Sequence, residues 1–473
     1  MKKITLILIF NSTFFIFNNS FAQTIAGGWY HSLALCSDST VRTWGWNIFG
    51  MLGNGTNTDS NVPVQVGGLS GITAIAGGEY HSLALQNDGT VWAWGEGYWG
   101  QLGNGTNADS NVPVQASAPS AITAIEAGWQ HSLALKNDGT VWVWGLNHLG
   151  QLGNGSYTNS YVPVQVSTLS GVIAIAGGSH FSLALKNDGT VWAWGYNDAG
   201  QLGNGTNNDT SNVPIQVNAL SGVTAIAGGY LHSLALKNDG TLWAWGANYA
   251  GQLGNGTSND SNVPIQVSAL SGVTAIAAGG EFSLALRNDG TVWGWGRNVD
   301  GQLGTGIHTD SSNVPVQMGV LSGITAIAAG GSHTLALKND GTLWSCGDNY
   351  RGQLGIGTNW PDQQDSPVPV QVTGLCPVLI GVEEENIISV LNIFPNPSTD
   401  ELRIENADLP AGQAGLKIKE IEIYSSLGEK VFEHQTSDVQ HLTISVADFP
   451  PGIYFITVTD EAGNKVTKKV VKM

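Results

Sequence analysis

Apolar residues come along this chain in short bursts separated by glycine, asparagine, aspartate and proline. In one stretch the bursts occupy 73–76, 82–85, 90–94 and 112–116. Each is too short for a helix and is bounded by turn formers, so each is predicted as a strand. Between the second and third lies Asn87-Asp88-Gly89. This is a hairpin turn, because glycine tolerates the positive φ that such turns require. The four-burst pattern then repeats. Its marker is the dipeptide Trp-Gly at Trp44, Trp94, Trp144, Trp194, Trp245 and Trp295, with Cys346-Gly347 as a seventh copy. The intervals are 50, 50, 50, 51, 50 and 51 residues. Four strands in each unit, seven times over, predict an all-β, seven-bladed β-propeller over residues 23–376. The paired tryptophans, such as Trp92 and Trp94, are two apart and share a strand face, so both are expected in the core.

The ends of the repeat are complementary. The first unit opens at 25–27 with no V-P-V-Q-V strand before it, and the last closes at 368–372 with no A-I-A-G-G strand after it. One blade is therefore expected to be shared between the two ends, latching the ring and covering its open edges. After Cys376 tryptophan disappears, and Glu383-Glu384-Glu385 marks a solvated linker over 377–388. Short alternating segments follow at 402–404, 418–424, 430–432, 442–446, 453–458 and 465–471. They predict a small C-terminal β-sandwich over 389–473. At the other end, Met1-Lys2-Lys3 precedes an apolar stretch, and Ser20-Phe21-Ala22 fits a cleavage site. Residues 1–22 read as a signal peptide, with Gln23 first in the exported chain. No other segment is apolar enough to span a bilayer, so a soluble or surface-attached protein is expected.

Composition narrows the partners. Charged residues are 11% of the chain, glycine numbers 64 and the formal net charge is −18. Low charge with ample hydrophobicity argues against disorder. A net negative surface repels phosphate backbones, so nucleic acid is not expected as a partner. The three cysteines, Cys36, Cys346 and Cys376, form no framework and no zinc-type pair. Two readings stay open: Cys346 paired with Cys376, or three ordinary thiols.

The segments His-Ser-Leu-Ala-Leu, Asn-Asp-Gly-Thr-Val-Trp and Gly-Gln-Leu-Gly-Asn-Gly resemble the repeat of the regulator of chromosome condensation, over about residues 25 to 375. That family includes an exchange factor, a photoreceptor and a secreted enzyme inhibitor, so the resemblance implies a fold and not one function. In the tail, Phe394-Pro395-Asn396-Pro397-Ser398, Gly452-Ile453-Tyr454-Phe455 and Lys468-Lys469-Val470-Val471-Lys472 resemble the sorting domain of type IX secretion substrates, with 409–415 as an insertion. This resemblance implies a Gram-negative bacterium, handling by the type IX machinery, passage across the outer membrane and removal of the tail. A secreted acidic protein does not meet a nuclear GTPase.

The candidate chemistry is sparse. His31, His81, His131, His232 and His333 are each followed by Ser or Thr, which invites a nucleophile pair. A residue repeated in nearly every blade more simply holds blades together, and Phe181 and Phe282 replace it in two units. Loops such as 54–59 are rich in Asn and Asp but lack the spacing of a calcium loop. The Gly-Trp motifs at Trp29 and Trp129 resemble a chromophore motif of the photoreceptor, but the accompanying arginines are missing. No catalytic residue, metal or cofactor is called for. A hydrolase or lyase would need the unique polar residues His148, His180, Asp198, His308 and Asp348, which come from separate units.

Strand direction locates a binding face. The G-G-x-x-H turn and the loop after Trp-Gly emerge at the same end of each blade. The turns at the other end are almost invariant, whereas this end varies. It carries Trp29, Tyr30, Trp46, Phe49, Tyr80, Tyr98, Trp99 and Trp129 in the first three units, and Glu281, Arg297, Asp300, Asp348 and Arg351 in the last two. Aromatic and arginine side chains are the usual binding anchors. The expected function is an extracellular or cell-surface interaction module that binds a protein, or alternatively a glycan, through the aromatic residues with Arg297 and Arg351.

Overall fold

The computed structural model describes residues 24–376 except 208, 268, 269, 320, 360 and 363, and in the tail 391–394, 401–406, 418–425, 430–435, 441–450, 452–460 and 465–472. The predicted signal peptide, the linker, the Phe394-Pro395 turn beyond its strand and the insertion at 409–415 lie outside the described residues. Two compact units divide the chain, 1–376 and 377–473.

The first unit is seven four-stranded antiparallel sheets. In blade 1 the strands run outward in chain order: Thr24–Gly27, His31–Leu35, Val41–Gly45 and Ser60–Gln65. The other blades repeat this over 72–115, 122–165, 172–216, 223–266, 273–317 and 324–371. Every blade is thus built from consecutive strands, and none is shared between the termini. The A-I-A-G-G strand opens each unit and V-P-V-Q closes it, so the two end fragments belong to different, complete blades.

Closure comes from side chains. Seven apolar clusters lie between successive blades, and the seventh joins blade 7 to blade 1 through Leu335, Leu337, Leu343 and Val372 against Ile25, Ala34 and Trp44. A polar clamp accompanies each. The carbonyl of Gln101 in blade 2 accepts both Ser132 Oγ (2.8 Å) and Trp144 Nε1 (2.8 Å) from blade 3. At the closing interface Gln353 O accepts Ser32 Oγ (2.9 Å) and Trp44 Nε1 (2.9 Å) in the same way. The marker tryptophans are wholly buried, whereas the first of each pair, such as Trp92, is only half-buried and bonds Gln86 Oε1.

A disulfide reinforces the closing interface. It joins Cys36 to Cys376, with Cα atoms 5.8 Å apart, and Cys346 is a free, buried thiol. Neither reading from spacing survives. Cys36 directly follows the second strand of blade 1, which ring closure brings beside the segment leaving blade 7. Cys346 occupies the slot of the marker tryptophan. The missing indole volume is filled by Met318, which replaces the valine found at Val66, Val166, Val217, Val267 and Val372, so that Met318 and Cys346 share one cluster. Cys346→Trp alone is expected to overpack this interface and cost about 1–3 kcal/mol. Adding Met318→Val should recover the loss, and urea midpoints of the four proteins in a double-mutant cycle measure that coupling.

Glycine is required at the Asn-Asp-Gly hairpin, where Gly89 has φ +86°. In blade 1 the equivalent residue is Ser39, held at φ +64°. A second glycine slot, filled by Gly71 and Gly171 at φ +63° and +69°, is occupied in blade 3 by Ala121 at +68°. Side chains resist this region. Ser39→Gly and Ala121→Gly are each expected to stabilise the propeller by about 0.5–1 kcal/mol, the relief of strain exceeding the added freedom of the unfolded chain. A lower melting temperature in both would contradict this.

The described tail strands form a three-stranded sheet, Leu391–Phe394, Glu401–Asn406 and His441–Ser445, and a four-stranded sheet of Lys430–Gln435, Ile418–Ser425, Gly452–Asp460 and Lys465–Lys472. Ile444 and Val446 are buried beside the first, and Ile421, Ile423, Tyr454, Ile456 and Val458 within the second. That is the alternation of a sandwich.

Candidate functional site

The repeated histidines must be placed first, because they fix what the blades can offer. His81 Nε2 lies 2.9 Å from Ser132 Oγ of the next blade, and His31, His131, His232 and His333 repeat the contact with Ser82, Ser182, Ser283 and Ser32. Each serine spends its own proton on the clamp carbonyl, so its oxygen can only accept. Nε2 therefore carries the imidazole proton, and the ring cannot act as a base toward that serine. All ten side chains are buried. Burial pushes His31, His81, His131 and His232 down to about 3, and His333 down to about 4. These pairs are inter-blade fasteners. Phe181 and Phe282 take the ring's place over Gly178 and Gly279, as the imidazoles do over glycines in the other blades.

The variable end of the ring is built from the same repeat. The backbone N–H after each marker glycine bonds the carbonyl before each fastener, as in Trp46 N to Tyr30 O (3.0 Å) and Arg297 N to Glu281 O (2.9 Å). The turn and the loop of each blade therefore stand together on one face. Three concentric rings of seven residues result. The inner ring is Trp29, Glu79, Trp129, Ser179, Tyr230, Gly280 and Gly331. The middle ring is Tyr30, Tyr80, Gln130, His180, Leu231, Glu281 and Ser332, and the outer ring is Trp46, Glu96, Leu146, Tyr196, Ala247, Arg297 and Asp348.

Six of the eight predicted aromatics form one cluster. Trp29 meets Trp129 edge-on at 4.8 Å, and both meet Tyr230, at 5.6 and 4.8 Å. Tyr30 and Tyr80 stack at 5.9 Å, Trp46 sits edge-on to both, and Phe49 abuts Tyr80 at 5.3 Å. Tyr98 and Trp99 form a separate pair at 4.7 Å, with Tyr98 58% exposed. The glycines of blades 6 and 7 admit Trp29: a Cβ on Gly331 would stand 2.8 Å from its Cδ2. Trp29, Trp129 and Tyr230 thus roof a central cavity of about 580 Å³ lined by the innermost strands. Tyr230 escaped the sequence reading, since nothing in chain order places blade 5 against blade 1 across the mouth of the ring.

The two arginines are already engaged. Arg297 pairs with Glu281 at 3.2 Å and with Asp300 at 3.9 Å. The Arg351 guanidinium lies 4.7 Å over Trp46 and 3.6 Å from Asp59. Sequence reasoning also missed two acids of blade 2. Glu79 is only 7% exposed in the inner ring, and Glu96 accepts a bond from Gln101 Nε2 (2.8 Å). Burial pushes both carboxyls up to about 7. Asp348 is bonded by Gln353 Nε2 in the matching position, and burial raises it to about 6. His180 abuts Trp129 at 5.2 Å and His148 at 5.6 Å, and burial lowers it to about 4. Asp198 accepts the Tyr196 hydroxyl, and His308 faces Asp365 at 3.3 Å. Of the polar residues a hydrolase would need, His148 and His180 meet each other, His308 and Asp348 both stand beside Asp365, and Asp198 is held by Tyr196, so the five are split among three places on the face. The Asn/Asp loops bond themselves: Asn47 Nδ2 bonds the carbonyls of Thr56 and Thr58.

Comparison with known proteins follows this geometry. A family model described as RCC1-like domain matches residues 11–272, and the RCC1 repeat matches 289–337 and 340–379. The chain belongs to the RCC1-like domain family. A secretion system C-terminal sorting domain matches 392–473. The RCC1-like unit is similar to human WBSCR16, with TM-score 0.64 and 28% identity over 71% of this chain and 94% of that one. It is also similar to Prp20p of Saccharomyces cerevisiae, with TM-score 0.62 and 25% identity over 70% and 84%. In sequence it is 53% identical over 49 residues to the ultraviolet-B receptor UVR8 of Arabidopsis thaliana, covering 10% of this chain and 11% of that protein. It is 30% identical over 167 residues to mouse protein RCC2, covering 34% and 22%. The chain thus spans only about a tenth to a fifth of the length of those curated relatives.

Proposed function

We propose that this protein is an exported, non-catalytic recognition module that binds a protein partner through the three-ring face. The observation that carries it is the contrast between the two faces of one scaffold. The lower turns repeat Asn-Asp-Gly almost unchanged, while the upper rings differ in every blade and gather aromatic side chains on a rigid frame. Such side chains order little on binding and supply most hot spots. The sorting domain supports export, and the Cys36–Cys376 bridge suits an oxidising compartment. Prp20p is described with binding to Gsp1p and histones; an exported acidic chain has no access to nuclear partners of that kind. A glycan is the second reading, favoured by the exposed Tyr98 beside Trp99 at the rim.

Trp29→Ala would open the roof of the cavity and so confuse folding with binding. Tyr98→Ala, Trp99→Ala and Trp46→Ala are the cleaner probes. Each is expected to weaken binding by about 1–3 kcal/mol where the ring is a hot spot. The experiment immobilises the full chain and its Tyr98→Ala/Trp99→Ala variant, identifies proteins captured from the host's surroundings, and runs both on a glycan array. Partners retained equally by the variant and by a triple variant adding Trp46→Ala would move the site off this face. Deleting 377–473 should leave a folded propeller in the periplasm; normal surface delivery of the truncated chain would refute the export route.

A further inference from the structure

The three-ring face is acidic as well as aromatic. Its loops carry two cationic residues, Arg297 and Arg351, and both are committed to acids of the same face. The five other basic residues that end second strands, Lys136, Lys186, Lys237, Arg287 and Lys338, lie at the opposite end beside the Asn-Asp-Gly turns. Glu79 is the focus. It is more than nine-tenths buried in the inner ring, between the blades that supply Trp29 and Trp129, and its backbone N–H bonds Trp129 O at 3.0 Å. The groups that act on its carboxyl are Tyr80, which bonds it, Glu96, Tyr30 and Tyr230. All are phenols or acids, and no described cation is paired with it. A buried carboxylate without a counter-charge is costly, and a cation brought to it repays that cost. The rings around it are what an ammonium or guanidinium group stacks on.

We infer that the partner of this face is a basic protein segment, one of whose Lys or Arg side chains enters between Trp29, Tyr80 and Trp129 to pair with Glu79, with Glu96 receiving a second. The inference rests on the proposed binding role of the face and names its partner's chemistry. Charge complementarity of this kind sets specificity and on-rate. Burial, with the Asp109 carboxylate beside Glu96 adding to it there, holds Glu79 and Glu96 up near neutrality, so a cation must displace protons from them, and binding strengthens as pH rises through 7.

The test uses the full chain and three synthetic decapeptides, rich in Lys/Arg, in Glu, and in Ser/Gly, with binding measured at low and physiological salt and at pH 5.5 and 8. The basic peptide alone should bind, more tightly at pH 8. Glu79→Gln/Glu96→Gln should weaken it at least tenfold and flatten the pH response. Asp138→Asn/Asp239→Asn makes the same charge change on the opposite face and should alter binding less than twofold. Circular dichroism and melting temperature confirm that each variant is folded. Equal losses in the two double variants would show a general charge field and overturn the inference. Binding that is insensitive to Glu79→Gln/Glu96→Gln yet lost in Tyr98→Ala/Trp99→Ala overturns the basic partner while leaving the face as the binding surface. Binding insensitive to both overturns both.

Discussion

Acidification from pH 7 to 4 is expected to unfold the propeller in a cooperative step whose steepness counts its buried histidines. His31, His81, His131 and His232 are held down to about 3, and His333 to about 4, by burial. Free histidine titrates near 6.5. Between those values the unfolded chain carries protons that the folded chain refuses, so stability is full above 6.5 and falls with pH below it. Each histidine contributes a slope of up to about 1.4 kcal/mol per pH unit, or about 7 for the five. Three carboxyls oppose this. Glu79 and Glu96 are raised to about 7 and Asp348 to about 6, so the folded chain holds their protons first, and these groups favour folding as pH falls toward the ordinary carboxylate range. His180, lowered by burial to about 4, joins the five, and six against three leaves a net uptake of about three protons on unfolding near pH 5.5, and about 4 kcal/mol per pH unit. Below about pH 4.5 the unfolded carboxyls protonate too, their opposition fades and the slope steepens.

The control is written into the chain itself. Phe181 and Phe282 occupy the same buried slot without titrating. His131→Phe should remove about one proton from the transition, and a triple variant with His31→Phe and His81→Phe about three. Urea midpoints at pH 7, 5.5 and 4.5 give the proton count directly. At pH 7 each replacement forfeits the hydrogen bond to the neighbouring serine, a net cost of about 1 kcal/mol. An unchanged slope between wild type and the triple variant would mean that these rings are protonated in the folded state, and the fastener assignment would fail.

The propeller was legible because every blade repeats one statement. Strand length, the Asn-Asp-Gly turn and the Trp-Gly marker agree seven times, and such agreement is hard to produce by accident. What a circular repeat does not reveal is where the circle is cut. The terminal fragments fit a shared blade as well as they fit two complete ones, and only the hydrogen-bonded order of strands separates the two. The face proposed for binding was legible in part for the same reason: comparison among units marks positions that vary, and Trp29, Tyr80 and Trp129 stand out at once. Tyr230 did not, because its contact with Trp29 crosses the ring mouth between blades 1 and 5. Glu79 did not, because an acid in a variable turn reads as solvated, and its burial depends on the rings packed about it. Cys346 looked like a partner for Cys376, when it is a truncated marker position whose volume Met318 supplies from the preceding blade.

Opening the Cys36–Cys376 bridge is expected to cost the propeller about 2–5 kcal/mol. The bridge spans 340 residues, so it restricts the unfolded chain more than a short loop would. It also acts where the fold most needs it. Six of the seven blade interfaces are crossed by the continuing chain, whereas the closing one has no covalent link but this disulfide. Its remaining contacts include the apolar cluster of Ile25 and Trp44 with Leu337 and Val372, the Gln353 clamp on Ser32 and Trp44, the Ser32–His333 fastener, the Arg351–Asp59 pair and the bond from Gly357 N to Asn61 O. These match the other interfaces in kind, so the native ring should survive reduction at 25 °C but open first at this seam when stressed. Limited proteolysis under reducing conditions should then cut near 24–45 and 365–376 before any central blade. Cys36→Ser should reproduce the effect of reductant and abolish the response to it, while Cys346→Ser should leave that response intact. Thiol counting makes the assignment independent of stability. The oxidised protein should show one alkylatable thiol, Cys346, and only after denaturation, since that group is buried and its thiol is pushed up to about 12. Three reactive thiols in the unreduced, denatured protein, or a melting temperature indifferent to reductant, would remove the bridge from the account and leave closure to the fasteners alone.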